Sequence, residues 1–131
     1  MHTLARVTLL VREYDEAVAY FTRVLDFELL EDVPMGPGKR WIVVGAKDAS
    51  GASVLLARAA TPEQARYIGM QAGGRVAFFL HTDDFWRDYR AMTVRGVQFE
   101  EEPREESYGT VVVFKDLYGN RWDLVQPRKA E

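Results

Sequence analysis

The stretch Gly73-Gly74-Arg75-Val76-Ala77-Phe78-Phe79-Leu80-His81-Thr82-Asp83-Asp84 decides the fold. Apolar residues fill positions 76–80 and predict a strand, and the two glycines release the chain from what precedes it. Thr82, Asp83 and Asp84 carry short oxygen-bearing side chains that accept from the orphan N–H groups of a helix's first turn. Phe85, Trp86, Tyr89 and Met92 then share one helical face, and Gly96 closes the helix as a left-handed cap. The same order stands at the N-terminus. Residues 4–11 read as a strand, and Ala17, Val18, Phe21, Val24 and Leu25 recur at helical steps after it.

Working outward, each half continues alike. In the first, strands are predicted at 27–31, 40–44 and 52–57, with a turn at 34–38 that holds two prolines and two glycines, and a polar loop at 45–51. In the second they fall at 97–101, 108–114 and 121–126, with a loop around Pro103 and a turn at Asp116-Leu117-Tyr118-Gly119-Asn120. Thr61-Pro62-Glu63-Gln64 opens a short linking helix that runs to about residue 68, with Thr61 as cap and Pro62 where its missing N–H costs nothing. Equivalent positions are separated by about 70 residues throughout, which implies a duplicated βαβββ unit. Two copies are too few for a solenoid, so the halves must pack on each other. The expectation is an α+β fold in one domain, 1–131: module one 1–60, linker helix and loop 61–74, module two 75–127.

Composition narrows the function classes. The hydrophobic fraction of 47% and charged fraction of 28% are those of a globular protein. Cysteine is absent, which removes disulfides, thiol nucleophiles and thiolate metal sites. A net charge of -3, with arginines scattered among acids, argues against nucleic acid as a partner. No apolar run approaches a membrane span, and the N-terminus lacks a signal-peptide layout, so a cytoplasmic protein is expected.

The run Phe114-Lys115-Asp116-Leu117-Tyr118-Gly119-Asn120-Arg121-Trp122-Asp123-Leu124 resembles the Asp-Pro-x-Gly-Asn turn and acidic last strand of the vicinal oxygen chelate superfamily, which includes glyoxalase I, extradiol dioxygenases and the fosfomycin and bleomycin resistance proteins. Arg23-Val24-Leu25-Asp26-Phe27-Glu28-Leu29 is similar to the family's Leu-Gly-Phe helix end. The resemblance covers essentially the whole chain. Leu117 stands where Pro is usual, and Asp26 where Gly is usual; Asp tolerates a left-handed backbone better than most residues. The resemblance implies paired βαβββ modules curved into a half-open barrel around a cavity. It also implies a divalent metal held by His and Glu or Gln, one from each of four strands.

Carried over by position, those four slots are Arg6, Leu55, Arg75 and Asp123. Only Asp123 can ligate, because a guanidinium offers a permanent positive charge and no lone pair. His2 lies before the first strand and does not rescue the set. The expectation is no catalytic metal and no cofactor.

Strand alternation assigns Arg6, Thr8 and Leu10 to the cavity face of the first strand, and Arg75, Ala77, Phe79 and His81 to that of the second module. Two readings of Arg6, Arg75 and Asp123 stand. They form a structural ion network, or a guanidinium forks onto the carboxylate or phosphate of a small molecule. Trp41, Tyr108 and Trp122 line the pocket or fill the core, and Trp122, opposite in phase to Asp123, belongs under the second helix. His81 reads as a capping or surface group rather than a base. The acidic run 100–106 reads as a solvated strand end whose Arg104 has the reach to cover the cavity mouth, and Gln71 is a polar group near that mouth. The candidate ligand-binding residues are Arg6, Arg75, Asp123, Thr8, Phe79, Trp41 and Gln71. The chain reads as a metal-free binder of a small anionic organic molecule, expected as a homodimer. Its rivals are a metal-dependent glyoxalase-like lyase or dioxygenase, a drug-sequestering resistance protein, and an accessory subunit without a ligand.

Overall fold

The computed structural model describes residues 1–47 and 50–129. Backbone contacts divide the chain into two compact units, Met1–Gly69 and Met70–Glu131. Each holds one sheet and, on one face of that sheet, one principal helix.

In the first unit β1 (Arg6–Val11) leads into α1 (Tyr14–Ala19), which continues as a π-helix at Tyr20–Val24. The strands β2 (Glu28–Pro34), β3 (Arg40–Gly45) and β4 (Ser53–Arg58) follow, and the sheet order is β1-β4-β3-β2. β4 returns parallel to β1, and the β2–β3 and β3–β4 pairs are antiparallel. Leu9, Val11, Ile42, Val44, Val54 and Leu56 alternate onto one face, where Ala17, Phe21 and Leu25 of the helix bury them. Each such side chain contributes on the order of 1.5–3 kcal/mol through the apolar surface it removes from water.

The second unit repeats the order with β5 (Val76–His81), α3 (Phe85–Val94), β6 (Gln98–Phe99), β7 (Arg104–Glu106), β8 (Gly109–Lys115) and β9 (Arg121–Pro127). The short helix α2 (Pro62–Ala65) precedes it. The sheet runs β5-β9-β8-β6, with β7 also paired to β8, and β5 and β9 are parallel. Under α3, Phe114 and Trp122 stack with ring centroids 5.8 Å apart, and Phe78 meets Trp122 at 4.6 Å. Trp122 therefore packs where its phase placed it.

Most differences from the sequence reading lie at strand ends. The loop expected around Pro103 carries β7, because Arg104 and Glu106 find partners in Val111 and Gly109. β2 extends to Pro34 and bulges between Leu29 and Glu31, which accommodates the Leu29-Leu30 pair that broke its alternation. α2 is shorter than expected, since beyond Ala65 the chain continues in turns. The loop expected at 45–51 includes residues 48 and 49, which lie outside the described residues. Asp26 takes φ +62° at the end of the π-helix, the left-handed position expected of it.

Candidate functional site

The face of each sheet turned away from its helix carries the polar residues that the sequence singled out. In the first unit the register Thr8↔Leu55↔Val43 and Arg6↔Ser53 sets Arg6, Thr8, Leu55, Val43 and Trp41 on that face. Arg6 begins β1 and is exposed. Its guanidinium carbon lies 5.6 Å from the centroid of the Trp41 ring, a cation–π contact. The Trp41 indole N–H donates to Glu31 Oε2 at 3.3 Å, which fixes the ring from the neighbouring strand. Arg6 itself forms no ion pair among the described residues.

In the second unit the register Phe79↔Asp123↔Val113 puts Phe79 and Asp123 side by side on the corresponding face. Phe79 is 65% exposed, whereas Asp123 is 7% exposed and its Oδ1 is buried without a hydrogen-bond partner. Burial pushes the Asp123 carboxyl above the usual carboxylate range. Arg104 opposes that shift, Glu101 adds to it, and Arg121 opposes it. Neither arginine is at liberty. Arg104 donates to Glu101 at 3.1 Å and to Glu106 at 2.7 Å, and Arg121 forks onto Glu100 at 3.1 and 2.9 Å. Glu101 also accepts the Val113 N–H at 3.0 Å and so ties its loop to β8.

Two placements differ from the alternation argument. β5 begins at Val76, and a bulge between Val76 and Phe78 inserts Ala77 as an extra residue. Alternation therefore no longer links Arg75 or Ala77 to the face that Phe79 and His81 share. Arg75 lies in the turn before the strand, exposed, with its N–H donating to Ala72 O at 3.3 Å. His81 is not a cap. It pairs with Val125 in the sheet, and the cap of α3 is Asp84, which accepts from the Arg87 N–H at 3.2 Å. Gln71 is exposed in the turns before β5, and Tyr108 is exposed at the turn before β8.

The charges acting on Asp123 are thus Arg104, Glu101 and Arg121, none of which was among the candidate site residues. The available signal was Arg104, the single cation in an acidic run. Only the pairing of β7 with β8 brings it to this face. Among the described residues, no group of three His, Cys, Asp or Glu is placed to hold a metal ion. The donor set of the four superfamily slots, two guanidinium groups, an alkyl chain and one carboxylate, does not fit a divalent cation.

The family model of the Glyoxalase/Bleomycin resistance protein/Dioxygenase superfamily matches residues 3–124. The chain belongs to that superfamily. An uncharacterized protein of Shewanella frigidimarina is 51% identical over 125 residues, spanning 95% of this chain and 93% of the relative. The crystal structure of UcmS2 superposes with a TM-score of 0.83 at 31% identity, over 95% of this chain and 98% of that one. TnmS3, an antibiotic binding protein from Streptomyces sp. CB03234, superposes with a TM-score of 0.71 at 27% identity, over 98% and 97% of the two chains. In this superfamily member the repeat read from the sequence is a pair of βαβββ units, with the extra strand β7 in the second. No helix of the described residues is long and apolar enough to cross a membrane.

Proposed function

We propose that this superfamily member binds a small organic anion on the uncovered face of module one and uses no catalytic metal. The observation that carries the reading is Arg6, exposed and seated on Trp41 with no carboxylate paired to it among the described residues. A guanidinium in that state keeps its donors for a planar or tetrahedral oxyanion, and the indole beside it supplies flat apolar surface for the ligand's body. Thr8 shares the face. In module two, taken by itself, Phe79 is exposed beside Asp123. Arg75 of module two, taken by itself, is likewise exposed and without an ion pair among the described residues, and is a separate candidate for the same class of ligand. Asp123 is the only ligating side chain among the four superfamily slots, and one carboxylate falls short of a zinc or iron set.

A thermal-shift panel of carboxylates and phosphorylated metabolites tests the reading, followed by calorimetry with Arg6→Gln and Arg75→Ala. A hit weakened about tenfold by Arg6→Gln supports it; unchanged affinity in both variants overturns it. Stoichiometric zinc, nickel, manganese or iron in protein purified without chelator would favour the metal-dependent lyase or dioxygenase instead. The likeness to TnmS3 favours a second reading, sequestration of a drug-like molecule. It requires tight binding without turnover, which recovery of the unaltered compound after incubation distinguishes from catalysis. A cytoplasmic homodimer remains part of the proposal, and light scattering on the purified chain tests the dimer.

A further inference from the structure

We propose that module one carries a second binding site, for a small organic oxyanion, in a cleft built on Tyr14, Gly38, Lys39 and Arg58. The cleft is open to solvent and offers about 360 Å³, within the range of small-molecule pockets. It is separate from the Arg6 face. In the β1–β4 pair Arg6 lies opposite Ser53 and Arg58 opposite Val11, so the two arginines stand at opposite ends of the pair, about 16 Å apart along the strands. They also project from opposite faces, since Arg58 follows Val54 and Leu56 onto the helix side, whereas Arg6 shares the face of Ser53 and Leu55.

Two guanidinium groups flank the buried Tyr14 ring, Arg40 at 5.4 Å and Arg58 at 5.5 Å from its centroid. Their charges are met unequally. Arg40 donates to Asp15 at 2.7 Å and to Asp32 at 2.8 and 3.2 Å, so that cation is fully answered. The nearest carboxylate to Arg58 is Glu13 at 3.6 Å, and its guanidinium makes no hydrogen bond among the described residues. Lys39 lines the same cleft, and its ammonium has no acceptor among the described residues. The cleft's own lining sets Lys39, Arg40 and Arg58 against Glu13 and Asp15, a net +1, and Asp32, bound to Arg40 outside the lining, brings the surrounding cluster to neutrality. Gly38, at φ +70°, borders the guanidinium: a Cβ there would lie in ordinary contact with Arg58 Nη2, at 3.4 Å. A fork-shaped cation with unfilled donors, a second cation and an aromatic edge suit a carboxylate or phosphate ester with a compact body.

Benzoate and phenyl phosphate are the probes, titrated into the full chain by calorimetry. Binding of at least one is expected, weakened about tenfold by Arg58→Gln and about threefold by Lys39→Gln, and unchanged by Arg6→Gln. Tighter phenyl phosphate identifies a phosphate ester, and tighter benzoate a carboxylate. The proposal is overturned if neither probe binds at millimolar concentration, or if both Arg58→Gln and Lys39→Gln keep the parent affinity. It is also overturned if Arg6→Gln alone abolishes binding, a result that would support the Arg6 face and not this cleft. Lys39 is exposed and its side chain makes no described bond, so its variant folds and decides the matter even where Arg58→Gln does not.

Discussion

The Asp116 carboxylate accepts the indole N–H of Trp122 at 3.0 Å and thereby joins the turn before β9 to the aromatic core beneath α3. The same carboxylate accepts the backbone N–H groups of Tyr118 at 2.9 Å and Asn120 at 3.0 Å, and the Asn120 side-chain amide at 3.1 Å. Asp116 and Asn120 are both buried. The turn is therefore specified by one acceptor group with four donors around it. Leu117, where the superfamily usually has proline, follows that carboxylate in the bend.

Removing that acceptor strands buried donors, each of which costs about 1–3 kcal/mol when left unsatisfied. Asp116→Ala is expected to lose about 3 kcal/mol or more in urea unfolding. Asp116→Asn, which keeps one acceptor oxygen, should lose less. Equal losses in the two variants would show that the one oxygen Asn keeps holds none of the turn, and that the second oxygen or the charge is essential.

Asp123 behaves in the opposite sense. Its folded-state pKa is raised by burial, so the folded protein holds this proton more readily than the unfolded chain does. Its contribution is most favourable in acid and is lost as pH rises from the ordinary carboxylate range through the folded value. Asp123→Asn removes that loss. The variant is expected to be more stable than the parent near neutrality, by about 1 kcal/mol, with the advantage shrinking in acid. Urea unfolding at pH 4 and pH 7 checks it, and a less stable variant at pH 7 would contradict the assignment.

Glu100 supplies the counter-case on the neighbouring loop. Its hydrogen bonds from Arg121 hold its carboxyl below the usual range. Its contribution is present above the unfolded pKa and is lost as pH falls through the folded one. The pair is partly exposed, so Glu100→Gln should cost only about 0.5 kcal/mol near neutrality and nothing in strong acid. Measured in one pH series, the Asp123 and Glu100 variants should show stability differences of opposite sign at pH 7.

The repeat was legible in the sequence because its signals are local: a two-residue period in each strand, a 3.6-residue period in each helix, and glycine or Asp26 at the helix ends. Asp26 and Gly96 both adopt the left-handed backbone, as their equivalence required. The site was less legible, because it depends on register. A single extra residue at Ala77 breaks the alternation that placed Arg75 beside Phe79. Arg104 and Glu101 meet Asp123's face only through strand pairing across a hairpin. The Arg58 cleft depends on the β1–β4 register and on the turn at Gly36 and Gly38, which in the sequence reads only as a loop between strands.

Gly109 offers the sharpest test of the β8–β9 register. At φ +152° it sits opposite Pro127, and a Cβ added there would stand 2.2 Å from the carbonyl oxygen of Gln126. That neighbour is backbone inside a sheet and cannot turn aside as a flexible side chain would. Gly109→Ala should therefore part the two strands or unfold the module, at a cost of about 3 kcal/mol or more. Gly96→Ala is the control. It carries the same kind of backbone strain, at φ +92°, with nothing within 4 Å of the new methyl group. Its loss should be about 1 kcal/mol, from conformation alone. Urea midpoints of the two variants measured together separate steric collision from backbone strain. If Gly109→Ala unfolds no more easily than Gly96→Ala, the close approach of β8 to the Gln126 carbonyl is not present in solution.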